Sequence, residues 1–322
     1  MSQIPAASTH PTNPESDPHM DLSPADPKVQ SMIDSLDRTD RFNLDTLFPR
    51  KTGFLAKSDT KRRVTMLKSI EPRLDLLLYP GETIEYVASA VLNNWIDQYF
   101  LGIWSQTINR TLLVFTQHRA ILLLSDSKGR AKQQAWQIPY NRLKKYGAAV
   151  WVGSVSFKLD NGKNYKFMGM KKQDRKNLKE YMQRRLSTPP EESIEFPNHE
   201  ARDPLCPGCW SPTPPKTHTC EHCDERFINP RTPALMSLAL PGLGNLYLGH
   251  TVVAVVEMIG FAFVLLIATD IVVSDPSAWL YGILLVAFAN TFDCIATMYI
   301  ARKGLISRRH TFGKKPRRVV AG

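Results

Sequence analysis

Four of the five cysteines in this 322-residue chain fall into two identically spaced pairs. Cys206-Pro-Gly-Cys209 is followed, after ten intervening residues, by Cys220-Glu-His-Cys223. A C-x₂-C turn aims two sulfurs at one ion, and two such turns supply the four thiolates of a tetrahedral site. A structural Zn²⁺ held by Cys206, Cys209, Cys220 and Cys223 is therefore the expected cofactor. Three other readings stay open. Cys206 and Cys209 alone have the spacing of a thioredoxin-type redox pair, but no βαβ context surrounds them and the second pair is left without a role. Iron in a rubredoxin-like site would use the same donors. His218 or His222 could replace one thiolate, although His222 lies inside the second turn, where a solvent-facing side chain is ordinary. A segment this short and this poor in apolar residues cannot fold by burial alone, so metal binding would supply its stability. Four protein ligands leave no open coordination position, which points to structure rather than metal catalysis.

A second set of polar residues, Glu257, Asn290 and Asp293, lies within long apolar sequence. Ionisable groups in such surroundings either handle ions and protons or lock helices together. Counted from Pro276 at 1.5 Å per residue, Glu257 lies about 28 Å back and Asp293 about 26 Å forward. In an antiparallel helix pair the two carboxyls are thus at similar depth. Locking is the expected role, because a two-helix hairpin encloses no pathway unless it oligomerises. Neither H-E-x-x-H, G-x-S-x-G nor a phosphate-cradling Gly-rich loop occurs, so no reaction is expected.

These groups must be positioned by very different stretches of chain. Residues 233–301 contain no Lys or Arg over 69 positions, and residues 302–322 then carry eight basic side chains and no acidic one. Such segregation excludes an ordinary soluble globular protein. Thr251–Val273 and Ala278–Ala301 are each long enough to cross hydrocarbon, joined by the turn Ser274-Asp275-Pro276-Ser277. Basic flanks on both sides predict a multi-pass protein of the cytoplasmic membrane with both termini inside. The thiolate cluster likewise calls for a reducing compartment. Residues 1–30 lack the apolar core of a signal peptide. Residues 1–59 read as disordered, with seven prolines in the first fifty positions.

Residues 60–187 change period. Val64, Leu67, Ile70 and Leu74 give one helical stripe that Pro72 should end. Alternation then predicts a series of short strands from Gly81 to Phe167, with a tight hairpin at Asp160-Asn161-Gly162-Lys163. A helix over Lys171–Leu186 closes the segment. Its apolar face carries Leu178, Tyr181, Met182 and Leu186, and its basic face carries Lys172, Arg175, Lys176 and Lys179, a candidate contact for anionic lipid. Trp95, Tyr99, Phe100 and Trp104 are further candidate membrane-facing side chains.

The runs Leu78-Tyr79-Pro80-Gly81-Glu82, Asn109–Arg119 and Trp136–Tyr140, with the closing helix, resemble a bacterial pleckstrin-homology-like (GRAM-like) domain over about residues 60–187. The resemblance implies a small antiparallel β-barrel capped by a C-terminal helix. Pro241, Gly242, Gly244, Tyr247 and Gly249, with Asp293, are similar to the two-helix membrane family often called the TM-two domain, over about residues 232–301. That resemblance implies a hairpin architecture and no activity. Pro233–Gly249 itself reads as a short entry helix and bend at the cytoplasmic face, with a re-entrant course or a merger into the first span left open.

The expected organisation is multidomain: a disordered region (1–59), the pleckstrin-homology-like domain (60–187), a linker (188–203), a zinc ribbon (204–230), an α-helical transmembrane hairpin (231–301) and a basic cytoplasmic tail (302–322). The expected function is a non-enzymatic, membrane-anchored adaptor or scaffold. Its pleckstrin-like domain would bind a protein, peptide or anionic lipid, and the hairpin could form homo-oligomers. The alternatives are a membrane-tethered zinc-ribbon nucleic-acid binder and a component of an oligomeric transporter. The ribbon speaks against nucleic acid, since residues 204–231 hold only Lys216, Arg226 and Arg231 as cations.

Overall fold

A computed structural model describes residues 26–49, 52, 55–149, 153–187, 202–214 and 217–308, without the side chains of Phe100 and Ile103. The first elements are two short helices, Pro27–Ile33 (α1) and Leu44–Leu47 (α2), started by side-chain caps from Asp26 and Asn43. The expectation of disorder through residue 59 does not hold for residues 26–49. Val29, Ile33, Leu36, Phe42, Leu47 and Phe48 are buried against the rest of the fold. These few apolar residues are too sparse to fold alone, but they cover a sheet face that already exists.

Ala56–Ile70 (α3) ends where expected. Pro72 sits in a 3₁₀ turn, Glu71–Arg73, that leads into the single turn Leu74–Leu77 (α4). Strand Ile84–Asn93 (β1) follows, then helices Trp95–Leu101 (α5) and Ser105–Ile108 (α6). Next come strands Arg110–Thr116 (β2), Arg119–Ser125 (β3), Ala131–Pro139 (β4), Leu143–Ala149 (β5), Ser154–Leu159 (β6) and Asn164–Met168 (β7). Helix Lys172–Ser187 (α7) and the short strand Asp203–Leu205 (β8) complete the set.

The eight strands form one open antiparallel sheet in the order β5-β6-β7-β1-β2-β3-β4-β8. A closed barrel is not what the pairing shows. Strand β8, at the boundary of the expected linker and ribbon, pairs Leu205 with Ala135 and Asp203 with Gln137, and so occupies the free edge of β4. Both faces of the central strands are covered, which is why Leu112–Phe115 reads as a continuous apolar run rather than an alternation. Leu112 and Val114 face α1–α4, while Leu113 and Phe115 face Leu178 and Met182 of α7.

Two motif residues close this core. The Arg119 guanidinium bonds both Glu82 carboxylate oxygens, at 3.0 and 2.8 Å, and both side chains are almost fully buried. Thr116 donates to Glu82 as well, at 2.7 Å. The Pro-Gly-Glu and Thr-x-x-Arg runs are thus joined inside the fold.

Helices Arg231–Ala239 (α8), Leu243–Tyr247 (α9), Thr251–Ser274 (α10) and Trp279–Ala301 (α11) make up the apolar region. Helices α10 and α11 are long and apolar enough to cross a membrane. Large side chains such as Phe263, Leu266, Tyr281 and Phe288 project from them unburied.

Candidate functional site

The four cysteine sulfurs converge. Cys206 and Cys223 Sγ are 3.7 Å apart, Cys209 and Cys220 Sγ are 3.6 Å apart, and all four lie within 4.8 Å of one another. A tetrahedron with metal–sulfur bonds of about 2.3 Å requires sulfurs about 3.8 Å apart, so the cluster can hold a metal ion. His218 and His222 are both exposed and outside the cluster.

The two halves of the centre are built alike. The amide of Trp210 donates to the Cys206 carbonyl (2.8 Å), and that of Asp224 to the Cys220 carbonyl (3.0 Å). Cys206 N donates to Ser211 O and Cys220 N to Glu225 O, each at 2.9 Å. Bridges Leu205–Pro212 and Thr219–Arg226 close two small hairpins at matching positions. The residue after each second cysteine takes a left-handed conformation, with φ of 61° at Trp210 and 56° at Asp224. This conformation disfavours a large side chain, and the surroundings compensate. The Trp210 ring is buried in the core between the sheet and α1–α4, with the Arg73 guanidinium 5.4 Å from its centre. Neither residue is flagged by the cysteine spacing; Asp224 alone has a type that tolerates the turn.

Electrostatics favours a cation here. The hydrogen bond from the Cys206 thiol brings the Cys209 thiol down to about 4, and the same contact raises Cys206. Burial pushes Cys223 up to about 12. Four neighbouring sulfurs cannot all ionise without an ion between them, and a divalent metal supplies that charge.

The polar residues of the apolar helices meet a different need. Helices α8 and α9 are not a bend at the end of the hairpin; they run down beside α11 and return. Asn290 Nδ2 donates to Leu238 O (3.0 Å), and Gly242 N donates to Asp293 Oδ2 (3.0 Å). The turn at Leu240-Pro241-Gly242 therefore lies about 12 to 16 Å along α11 from its Ala301 end. Two glycines make this approach feasible. Gly242 has φ +89°, and a Cβ there would lie 2.6 Å from Ala254 O. A Cβ on Gly244 would lie 2.2 Å from Pro233 O and 2.6 Å from Thr297 Cγ2. Pro241 is buried in the turn, Tyr247 is half-buried, and Gly249 (φ +79°) turns the chain into α10.

Side chains complete the cluster. Asn245 Nδ2 donates to both Glu257 carboxylate oxygens, at 3.0 and 2.9 Å, and Asp293 is a neighbouring carboxyl. Ser237 and Thr297 hydroxyls are 2.8 Å apart. Glu257, Asn290 and Asp293 are thus brought together around one broken stretch of helix, whose freed backbone groups Asn290 and Asp293 help satisfy. Asn245, Ser237 and Thr297 were not singled out by the sequence, since each is ordinary alone.

The remaining candidates are dispersed. Lys172, Lys176 and Lys179 are exposed along α7, but Arg175 donates to Met170 O and packs over Gly153. Helix α7 runs from the Met168 end of β7 to Gln117 at the β2–β3 turn, where Arg185 donates to the carbonyl (2.6 Å). Its basic side chains are therefore strung along the sheet's length. Of the four aromatics, Trp95 and Tyr99 are exposed, and Trp104 packs with Val253 and Ile300 of the apolar helices.

The chain after α11 is a structural clip rather than free tail as far as residue 308. Phe227 bridges to Ser307, Ile228 N donates to Ile306 O (2.9 Å), and Arg308 N donates to Arg226 O (3.0 Å). Leu305 packs on the cysteine cluster. Both ends of the apolar region therefore meet at the cysteine cluster. No protein-family model matches this chain, and no curated protein matches it.

Proposed function

We propose that this protein is a membrane-anchored adaptor without catalytic activity of its own. In this reading α10 and α11 cross the cytoplasmic membrane and α8–α9 form a re-entrant cap between them and the inside. A Zn²⁺ on Cys206, Cys209, Cys220 and Cys223 fixes a ribbon at the membrane exit. The sheet is an open variant of the pleckstrin-homology-like arrangement, presenting a surface to a protein, a peptide or anionic lipid.

The observation that carries this reading is the placement of the ribbon. One hairpin continues from β8 and buries Trp210 in the sheet core, while the other is bridged to residues 306–308 beyond α11. A rigid connector between a membrane anchor and a folded domain is what an adaptor requires. The same packing speaks against a nucleic-acid role, because both hairpins of the ribbon are occupied by intramolecular contacts. A groove of about 700 Å³ lies along α10 and α11 and is lined mainly by apolar residues such as Leu265, Ala268, Val272 and Ile283.

The test is topology. Single cysteines at Ser277 and at exposed Asn161 are introduced into a version lacking Cys294, and intact cells are treated with a membrane-impermeant thiol reagent. Labelling at 277 alone is expected. Labelling at 161, or at neither position in a membrane fraction, would overturn the arrangement.

A further inference from the structure

The excursion between β1 and β2 is longer than the sheet needs. Val91 pairs with Arg110, and Leu92 N donates to Asn109 O (3.0 Å), so a tight turn would join the strands. Instead α5 and α6 are inserted there, and they reach the apolar hairpin. Leu101 and Ile108 pack with Val253 of α10 and Ile300 of α11. Asp97 of α5 accepts from Tyr299 Oη (2.5 Å) and Lys303 Nζ (2.8 Å).

The position of that contact along the helices sets its depth. About 20 helical residues cross a hydrocarbon layer of about 30 Å. Counted from the Ser274–Trp279 turn, the near boundary falls at about Val255 on α10 and Met298 on α11. Val253, Tyr299, Ile300 and Lys303 lie just outside it, at headgroup level, and so does the helix they hold.

That helix shows an unusual surface. Among the described residues outside 231–301, the large aromatic side chains left exposed are Trp95 (75 %) and Tyr99 (77 %), both on α5. Aromatic side chains with one polar edge concentrate where hydrocarbon meets water. We infer that α5 lies in the headgroup layer of the same bilayer the hairpin crosses, with Trp95 and Tyr99 inserted as interfacial anchors. The partner is the lipid surface, reached by continuity with α10 and α11. The basic face of α7 is not required for it. The sheet is then held in one orientation to the membrane by two attachments, the ribbon clip and α5.

This inference rests on the membrane reading above, and one experiment separates the two. Full-length protein is reconstituted in phosphatidylcholine–phosphatidylglycerol vesicles. Emission of Trp95 is obtained as the difference between the native protein and Trp95→Phe, and that of Trp279 as the difference from Trp279→Phe. Trp279, at the far turn, reports insertion of the hairpin. Shallow nitroxide-labelled lipids should remove roughly half of the Trp95 emission, with aqueous iodide removing little, as for other interfacial tryptophans. Lipid quenching of Trp279 with iodide-only quenching of Trp95 would overturn the anchor while the hairpin stands. Iodide-only quenching of both would remove the membrane reading and the anchor together. Tyr99→Ser should move Trp95 toward iodide access, which a helix merely packed on protein would not show.

Discussion

Lys303, two residues beyond the second apolar helix, places its amine 2.8 Å from an Asp97 carboxylate oxygen on the helix inserted between β1 and β2. Asp97 also accepts from Asn109 (2.5 Å), and Lys303 donates to Asn109 Oδ1 (2.7 Å). Burial lowers the Lys303 ammonium below the ordinary lysine range, and the bond to Asp97 opposes that shift. The pair thus joins two distant parts of the chain, beside the Tyr299–Asp97 hydrogen bond and the apolar contacts of Leu101 and Ile108. Removing Asp97 would leave a largely buried ammonium without its counter-charge.

Asp97→Ala is therefore expected to destabilise the junction by roughly 3 kcal/mol, with Asp97→Asn less damaging because it keeps one acceptor oxygen for Tyr299 and Lys303 while losing the bond from Asn109. Chemical denaturation of detergent-purified protein, with limited proteolysis between β1 and β2, measures this. Equal stability of both variants and the native protein would mean the contact is incidental.

Metal analysis tests the cysteine centre. Protein purified without chelator should carry about one Zn²⁺ per chain, and Cys209→Ser should lose most of it, since one of four thiolates is gone. Because Trp210 is in the sheet core, chelation should also lower the melting temperature of the sheet. Protein with neither zinc nor iron would refute the site.

Gly244→Ala tests the close approach of α8, α9 and α11. Its Cβ would collide with the Pro233 carbonyl and Thr297, and backbone cannot give way as a flexible side chain can. A loss of about 1–3 kcal/mol, or failure to accumulate in the membrane fraction, is the expected outcome. Gly260→Ala, at a position with nothing within 4 Å, is the control and should be neutral.

Arg119→Ala tests whether the motif residues that suggested a domain family serve the fold. It strands the Glu82 carboxylate in the core and should cost about 4 kcal/mol. Glu82→Leu combined with Arg119→Met should recover most of that loss, as replacing both partners by apolar groups removes the uncompensated charge. A stable Arg119→Ala protein that has lost a binding partner would instead make Arg119 a ligand contact.

The features legible in the sequence are those that local chemistry dictates. Two C-x₂-C turns announce a four-sulfur cluster whatever surrounds them, and 69 residues without a cation announce apolar helices. The strands and α7 follow from period and from Asn161-Gly162, and the end of α3 follows from Pro72. Tertiary structure decided what those rules do not reach. Residues 26–49 are ordered because a sheet face was there to receive six apolar side chains. Leu205 and its neighbours became a strand because β4 offered an unpaired edge, and this keeps the sheet open. The run from Pro233 to Gly249 reads as a bend at the membrane surface, yet it descends beside α11. Gly242 and Gly244 permit the approach, and Asp293 and Asn290 bond the backbone groups that the turn leaves free. Each of these outcomes depends on partners distant in sequence, and their energies arise only when both surfaces meet.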